Sequence, residues 1–315
     1  MEFRYVFGPV PSRRLGRSLG VNLVPFKTCN YSCVYCQLGR TTCLVDERDD
    51  FFPPEEVLSE IREALSRNPD LDYLTFTGEG EPTLCRSIGW LISRSKELSP
   101  VPVAVLTNGA LLCRGDVREE LGQADLVMPS LDAGDPRTFR RVNRPHRDLD
   151  IEAIVDGISE FRDEFRGKLW VEVMLVAGVN DTEEALKAIR RALDRIQPDR
   201  TFINLPVRPP AESWVRIPDE DALVRAQVLL EAELLPHEEE GEFGVEGFPD
   251  PVEAILHIIR RHPMRERHIV ETLSRFPQEA VSEGLDSLVN SGRSKRIPYR
   301  GQTCYAYAGG KYGGL

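Results

Sequence analysis

Lys27-Thr28-Cys29-Asn30-Tyr31-Ser32-Cys33-Val34-Tyr35-Cys36-Gln37-Leu38-Gly39 is the stretch on which the reading of this chain turns. Cys29, Cys33 and Cys36 form a C-x3-C-x2-C triplet. Thiolates are soft ligands that suit iron–sulfur clusters and zinc. Three of them on one short loop can hold three irons of a cubane and leave the fourth iron open for chemistry, whereas a structural site is normally closed by a fourth ligand. A zinc site completed elsewhere, for instance by Cys43, remains open at the level of spacing alone.

Working outward, residues 18–26 read as a strand that delivers the chain to this loop. Residues 53–67 begin Pro-Pro-Glu-Glu and place Val57, Leu58, Ile61 and Leu65 on one helical face. Proline and acids suit a helix N-terminus. Further strands are expected over 71–77, 101–107, 124–131, 169–177 and 201–207, with helices near 84–98, 149–165 and 181–195. Strands alternating with helices imply a parallel sheet. About six βα units fit, so the expected fold is α/β, a partial (β/α)6 barrel with its ligand site at the C-terminal ends of the strands.

Residues 231–250 are acidic and glycine-rich and read as a linker. Beyond it, helices over 251–261, 264–274 and 277–290 and a hairpin over 293–307 form the pattern of a small winged-helix domain. The expected division is therefore a barrel domain over 1–230, a linker over 231–250 and a C-terminal domain over 251–315.

The chain has 315 residues, a net charge of −11 and seven cysteines. Residues 251–315 hold ten Lys/Arg against six Asp/Glu, a local +4, which leaves −15 for the rest. That asymmetry fits two units with different tasks. With no apolar run long enough to span a bilayer and no signal-like N-terminus, a cytoplasmic location is expected, where cysteines serve metals or catalysis more than disulfides.

The loop resembles the signature of the radical S-adenosylmethionine superfamily, with Tyr35 as the aromatic before the last cysteine. Gly78-Glu79-Gly80-Glu81-Pro82 resembles that family's glycine-glutamate-proline motif, which binds the amino group of the cofactor's methionine part; Glu81 precedes the proline and is favoured over Glu79 as the contact. Asn108 in Leu-Thr-Asn-Gly and Ser130-Leu131-Asp132 at the next strand ends resemble the polar and sugar-contacting segments of the family. Leu205, in Asn-Leu-Pro, stands where adenine would be touched. The start Phe7-Gly-Pro-Val-Pro-Ser-Arg-Arg and Cys36-Gln-Leu-Gly-Arg-Thr resemble a branch of iron–sulfur oxidoreductases near the wybutosine-synthesis radical enzymes. The resemblance covers about residues 5–210.

The resemblance implies a [4Fe–4S] cluster on Cys29, Cys33 and Cys36 and S-adenosylmethionine as cofactors. One-electron cleavage of the sulfonium then gives a 5′-deoxyadenosyl radical that abstracts hydrogen from a substrate. An electron donor such as ferredoxin or flavodoxin is implied, and a peptide, protein or RNA substrate is expected to engage the C-terminal domain; no membrane role is expected. Residues 277–290 carry Glu279, Glu283 and Asp286 without Lys or Arg, which disfavours DNA. The competing reading is a DNA-binding regulator that senses redox state through its cluster. Arg13, Arg14 and Arg17 are either contacts for an anionic substrate or a solvated arm. Cys43, Cys85, Cys113 and Cys304 read as free thiols, Cys85 near the cavity. His146, His237, His257, His262 and His268 lack ligand spacing.

Overall fold

The computed structural model describes residues 3–236, 243–245 and 248–313. The expected linker over 231–250 therefore lies partly outside the described residues, as does His237.

The first two strands, β1 (Val6–Ser12) and β2 (Gly16–Val21), form an antiparallel hairpin. Two short strands, β3 (Thr28–Cys29) and β4 (Cys43–Leu44), pair at the cysteine loop. Alternation follows: α1 (Pro54–Arg67), β5 (Tyr73–Phe76), α2 (Ile88–Leu98), β6 (Val103–Thr107), α3 (Gly115–Leu121) and β7 (Leu126–Pro129). It continues with α4 (Pro136–Val142), α5 (Ile151–Glu164), β8 (Lys168–Met174), α6 (Glu183–Ile196), β9 (Arg200–Asn204), α7 (Glu220–Leu230) and β10 (Glu233–Leu234).

One eight-stranded sheet runs β1-β2-β5-β6-β7-β8-β9-β10. From β2 onward every pairing is parallel. This is an α/β fold of the partial-barrel type. Along β6 the side chains alternate: Val103 and Val105 join the main core beneath the helices, while Ala104 and Leu106 join a second cluster with Met128, Trp170 and Phe202. Burial on both faces explains the apolar runs of these strands.

The sequence placed the first strand over 18–26, but the strand ends at Val21 and an irregular segment then carries the chain to the cysteines. The Phe-Gly-Pro start, expected only as a motif, pairs as β1. Residues 233–234, expected within the linker, pair with Phe202 and Ile203 as an edge strand. Helices α3 and α4 have seven residues each, too short for a periodic signal.

The C-terminal unit comprises α8 (Pro251–Arg261), β11 (Met264–Arg265), α9 (Glu266–Thr272), α10 (Gln278–Asn290), β12 (Ser294–Tyr299) and β13 (Gln302–Tyr307). The helix expected over 264–274 is thus a strand followed by a shorter helix. Its own core gathers Ile255, Ile259, Met264, Leu273, Leu285 and Tyr305. The unit leans on the barrel mouth. Gln37 Nε2 donates to Arg261 O at 2.8 Å, Tyr312 Oη donates to Gln37 O at 2.7 Å, and Arg40 N donates to Lys311 O at 2.6 Å.

Candidate functional site

The three cysteines follow β2 on the loop that β3 and β4 pin to the barrel mouth. Each sulfur receives a nitrogen donor. Lys27 Nζ lies 3.1 Å from Cys36 Sγ, Tyr31 N lies 3.4 Å and Asn108 Nδ2 3.7 Å from Cys29 Sγ, and Asn143 Nδ2 lies 3.5 Å from Cys33 Sγ. Donors aimed at sulfur favour its anionic form. Burial opposes that form. It pushes the Cys29 thiol up to about 12, with the Glu81 charge adding to the effect, and it raises Cys33 as well. A metal charge reverses this balance and deprotonates a ligating thiol outright. The donor set therefore fits an iron–sulfur cluster. Among the described residues, no three His, Cys, Asp or Glu groups gather so as to hold a single metal ion. A tetrahedral zinc needs its sulfurs about 2.3 Å from one centre, whereas a cubane takes each sulfur on a different iron.

The Gly78–Pro82 loop follows β5 and wraps the cysteine segment. Gly78 has φ +144°, and a Cβ on Gly80 would sit 1.8 Å from the Thr28 carbonyl oxygen. Glycine is required at Gly78 by its positive φ and the Asn22 side chain against it, and at Gly80 by the close backbone approach. Glu81 is fully enclosed and its carboxylate is used by the protein. Oε1 accepts from Thr83 N at 3.0 Å, Thr83 Oγ1 at 2.6 Å and Thr107 Oγ1 at 2.6 Å, and Oε2 accepts from Asn108 N at 2.7 Å. It ties the end of β5 to the end of β6. Glu79 is 1% exposed and faces the C-terminal unit. Arg260 Nε and Nη2 donate to its two oxygens at 2.5 and 3.1 Å, and Arg261 Nη2 lies 3.2 Å away. Arg261 also lies over the Phe7 ring at 4.4 Å. Burial lowers its guanidinium to about 10, against the pull of Glu79.

Asp132, after β7, is a brace of the same kind. Met174 N donates to Oδ1 at 2.8 Å, Asn143 Nδ2 donates to Oδ2 at 2.6 Å, and Tyr35 Oη donates to Oδ2. Tyr35 is thereby fixed beside the cysteines. Asn108 sits between Cys29 Sγ and Asn30 Oδ1, the latter at 2.5 Å. Ser130 is held by its amide, which donates to Thr107 O at 3.0 Å.

A cavity of about 280 Å³ opens at the strand ends, and Tyr35, Cys36, Gly78, Met174 and Leu205 face it. Arg13 and Arg14, from the β1–β2 turn, line it too and are half-buried rather than solvated, while the pairing of Arg14 with an acid of the barrel matches that part of the arm reading. Arg14 pairs with Glu172, Arg13 Nη2 donates to Asn204 Oδ1 at 3.0 Å, and Asn204 Nδ2 donates to Glu172 Oε1 at 3.1 Å. Arg17 is exposed just beyond the same turn, paired opposite Pro11. Cys85 is buried beside Asp50, 3.7 Å from its Oδ1, and is not among the residues facing the cavity. Cys43 and Cys113 are exposed, and Cys304 is buried in the terminal hairpin. His146 Nδ1 lies 3.3 Å from Asp148, and its amide donates to Asn30 O on the cysteine loop at 2.8 Å.

The sequence reading brought together the cysteines, Tyr35, the Gly78–Pro82 loop and Asn108. It missed Lys27, which lies within the quoted motif, Asn143, which is 110 residues from Cys33, and the Arg260–Arg261 pair, whose partner Glu79 is 181 residues from Arg260.

Three comparisons bear on this geometry. The family model described as the Radical SAM superfamily matches residues 23–207. The UPF0026 protein of Methanocaldococcus jannaschii is 36% identical over 95% of this chain and 94% of its own length. A protein of Brachyspira hyodysenteriae named GTPase Obg is 34% identical over 97% of this chain, which spans only 45% of that protein. A solved structure of TYW1 with a lysine-pyruvate adduct bound covers 69% of this chain and 74% of its own at a TM-score of 0.50 and 18% identity, a likeness of fold.

Proposed function

The chain belongs to the radical S-adenosylmethionine superfamily, whose members use a [4Fe–4S] cluster and S-adenosylmethionine, and from that premise we propose that it is a substrate-modifying radical enzyme. The observation that carries the reading is the cysteine triplet, each sulfur with a donor, at the edge of a cavity that also meets the Gly78 loop. Cys29, Cys33 and Cys36 would hold the cluster.

When bound on Cys29, Cys33 and Cys36, the cluster and S-adenosylmethionine would supply one-electron reductive chemistry and hydrogen abstraction from the substrate. The chain's own residues position and shield. Gly78 would let backbone approach the cofactor's amino group, Gly80 lets the loop pack on the Thr28 carbonyl, Glu81 and Asp132 hold the surrounding strand ends rigid, and Leu205 offers an apolar wall. Lys27 and Asn143 steady the sulfurs and place hydrogen bonds on them, a lever on the cluster's potential. The C-terminal unit, seated over the mouth, excludes water from the cavity. Its order of helix, strand, two helices and hairpin supports a winged-helix reading, with a substrate-presenting role. Glu279, Glu283 and Asp286 are exposed on α10, which argues against DNA there, and the relatives lend the regulator reading no support. Ferredoxin or flavodoxin is the proposed electron donor.

Anaerobic reconstitution with dithionite and S-adenosylmethionine should yield 5′-deoxyadenosine. Cys33→Ala should lose the visible iron–sulfur absorbance and cleavage while far-ultraviolet circular dichroism is kept. Undiminished cleavage in that variant would sink the assignment.

A further inference from the structure

A groove of about 460 Å³ lies between the C-terminal unit and the barrel. Arg13, Arg208, Arg265, Arg267, Arg300 and His268 line it, and Glu271 is the one carboxylate among its described lining residues. In a chain of net charge −11 this is a local concentration of cations. Four contacts hold some of the guanidiniums in place. Arg13 donates to Pro236 O and Asn204 Oδ1, both at 3.0 Å, Arg208 Nη1 donates to Gln37 Oε1 at 2.8 Å, and Arg267 Nε donates to Glu271 Oε1 at 2.6 Å. Arg265 and Arg300 make no ion pair among the described residues. Arg300 sits at the tip of the β12–β13 hairpin, next to Tyr299, whose hydroxyl donates to Pro206 O at the end of β9.

The groove and the cavity share Arg13, Val207 and Arg208 as lining residues, so the two adjoin at those side chains. Every permanent cation here is arginine, the side chain whose planar fork grips oxyanions by two hydrogen bonds. Phosphates deliver that charge densely, so a short stretch of substrate satisfies several guanidiniums, whereas a peptide would need a run of acids.

We propose that the groove binds the phosphates of a nucleotide substrate, single-stranded RNA or a free nucleotide, and directs its sugar or base into the cavity at the cysteine loop. This rests on the reading of the barrel as a radical enzyme.

The test uses the cluster-loaded full chain and fluorescence anisotropy of a labelled oligouridylate of about 10 nucleotides across a salt series. Uridine monophosphate, pyrophosphate and polyglutamate serve as competitors. Binding that weakens steeply with salt supports the proposal. Failure of the mononucleotide to compete then assigns the polymer as the source, and efficient competition assigns the free nucleotide. The double variant Arg265→Gln/Arg300→Asn should bind at least about tenfold more weakly, and its log–log salt slope should fall by about 0.7 for each phosphate no longer gripped. Asparagine suits the positive φ of +52° at position 300, and retained cluster absorbance reports intact folding. Polyglutamate competing as well as RNA, an unchanged variant, or no binding of either nucleotide probe overturns it. If RNA or nucleotide binds but no 5′-deoxyadenosine forms under reduction, the groove stands and the barrel reading falls; the converse result removes the groove alone.

Discussion

Lys27 is 3% exposed and its ammonium points at Cys36 Sγ. Burial lowers its pKa, but the surrounding cysteine sulfurs outweigh that and hold it raised. A hydrogen bond from a cation stabilises the more negative, reduced cluster. Lys27→Met should therefore lower the reduction potential, and Lys27→Arg should restore part of it, read by spectroelectrochemical titration of the loaded protein. An unchanged potential in Lys27→Met would remove this role. The same scale shows what sequence could and could not disclose. Thiol spacing is a chemical signature and was readable, but a lysine two residues before a cysteine has no spacing that betrays it. Asp132 was readable as important and misleading in kind: a carboxylate at a strand end suggests a ligand contact, while Tyr35, Asn143 and Met174 occupy both its oxygens.

At the scale of elements, Glu81 welds two adjacent strand ends with four accepted hydrogen bonds. Removing a buried acceptor strands its donors at about 1–3 kcal/mol each. Glu81→Ala should cost about 3 kcal/mol or more in denaturant unfolding, and Glu81→Gln distinctly less; equal costs would mean that the carboxylate shape is immaterial. A second case is His257 on α8, which packs on Phe248 at 4.9 Å. Burial first, then Arg261 and Arg260, lower its pKa from 6.5 to about 3. The unfolded chain thus binds a proton between those two values that the folded chain does not. Stability of the C-terminal unit should fall as pH drops through that window, by at most about 1.4 kcal/mol per unit. Since the side chain is only partly buried, a smaller slope is expected, and His257→Phe should flatten it in urea titrations at several pH values. The parallel strands were legible because burial on two faces writes unbroken apolar runs. The β1–β2 hairpin was hidden by glycine and proline, and α7 by its exposed Val224 and Val228, which blur the amphipathic stripe.

For the whole molecule the decisive contact is the clasp of Arg260 and Arg261 on Glu79. No periodicity forecasts a pairing across 181 residues, so the sequence offered two units and could not say that they interlock. Removing one partner of a buried pair leaves the other charge stranded, at about 3–5 kcal/mol, while replacing both is far milder. Glu79→Gln, which strands the buried Arg261 guanidinium, should therefore destabilise more than Glu79→Gln combined with Arg261→Met, with chemical denaturation as the measure. Additive costs would show that the pair is uncoupled. Gly78-Glu79-Gly80 and the last turn of α8 are in effect two halves of one lock. A C-terminal unit grafted onto another barrel would need an acid at the matching place in that barrel's loop. Conversely, severing this barrel near Pro236 would strip Glu79 of Arg260 and Arg261 and open its carboxylate to water, so a barrel engineered to stand alone needs a substitute for that clasp.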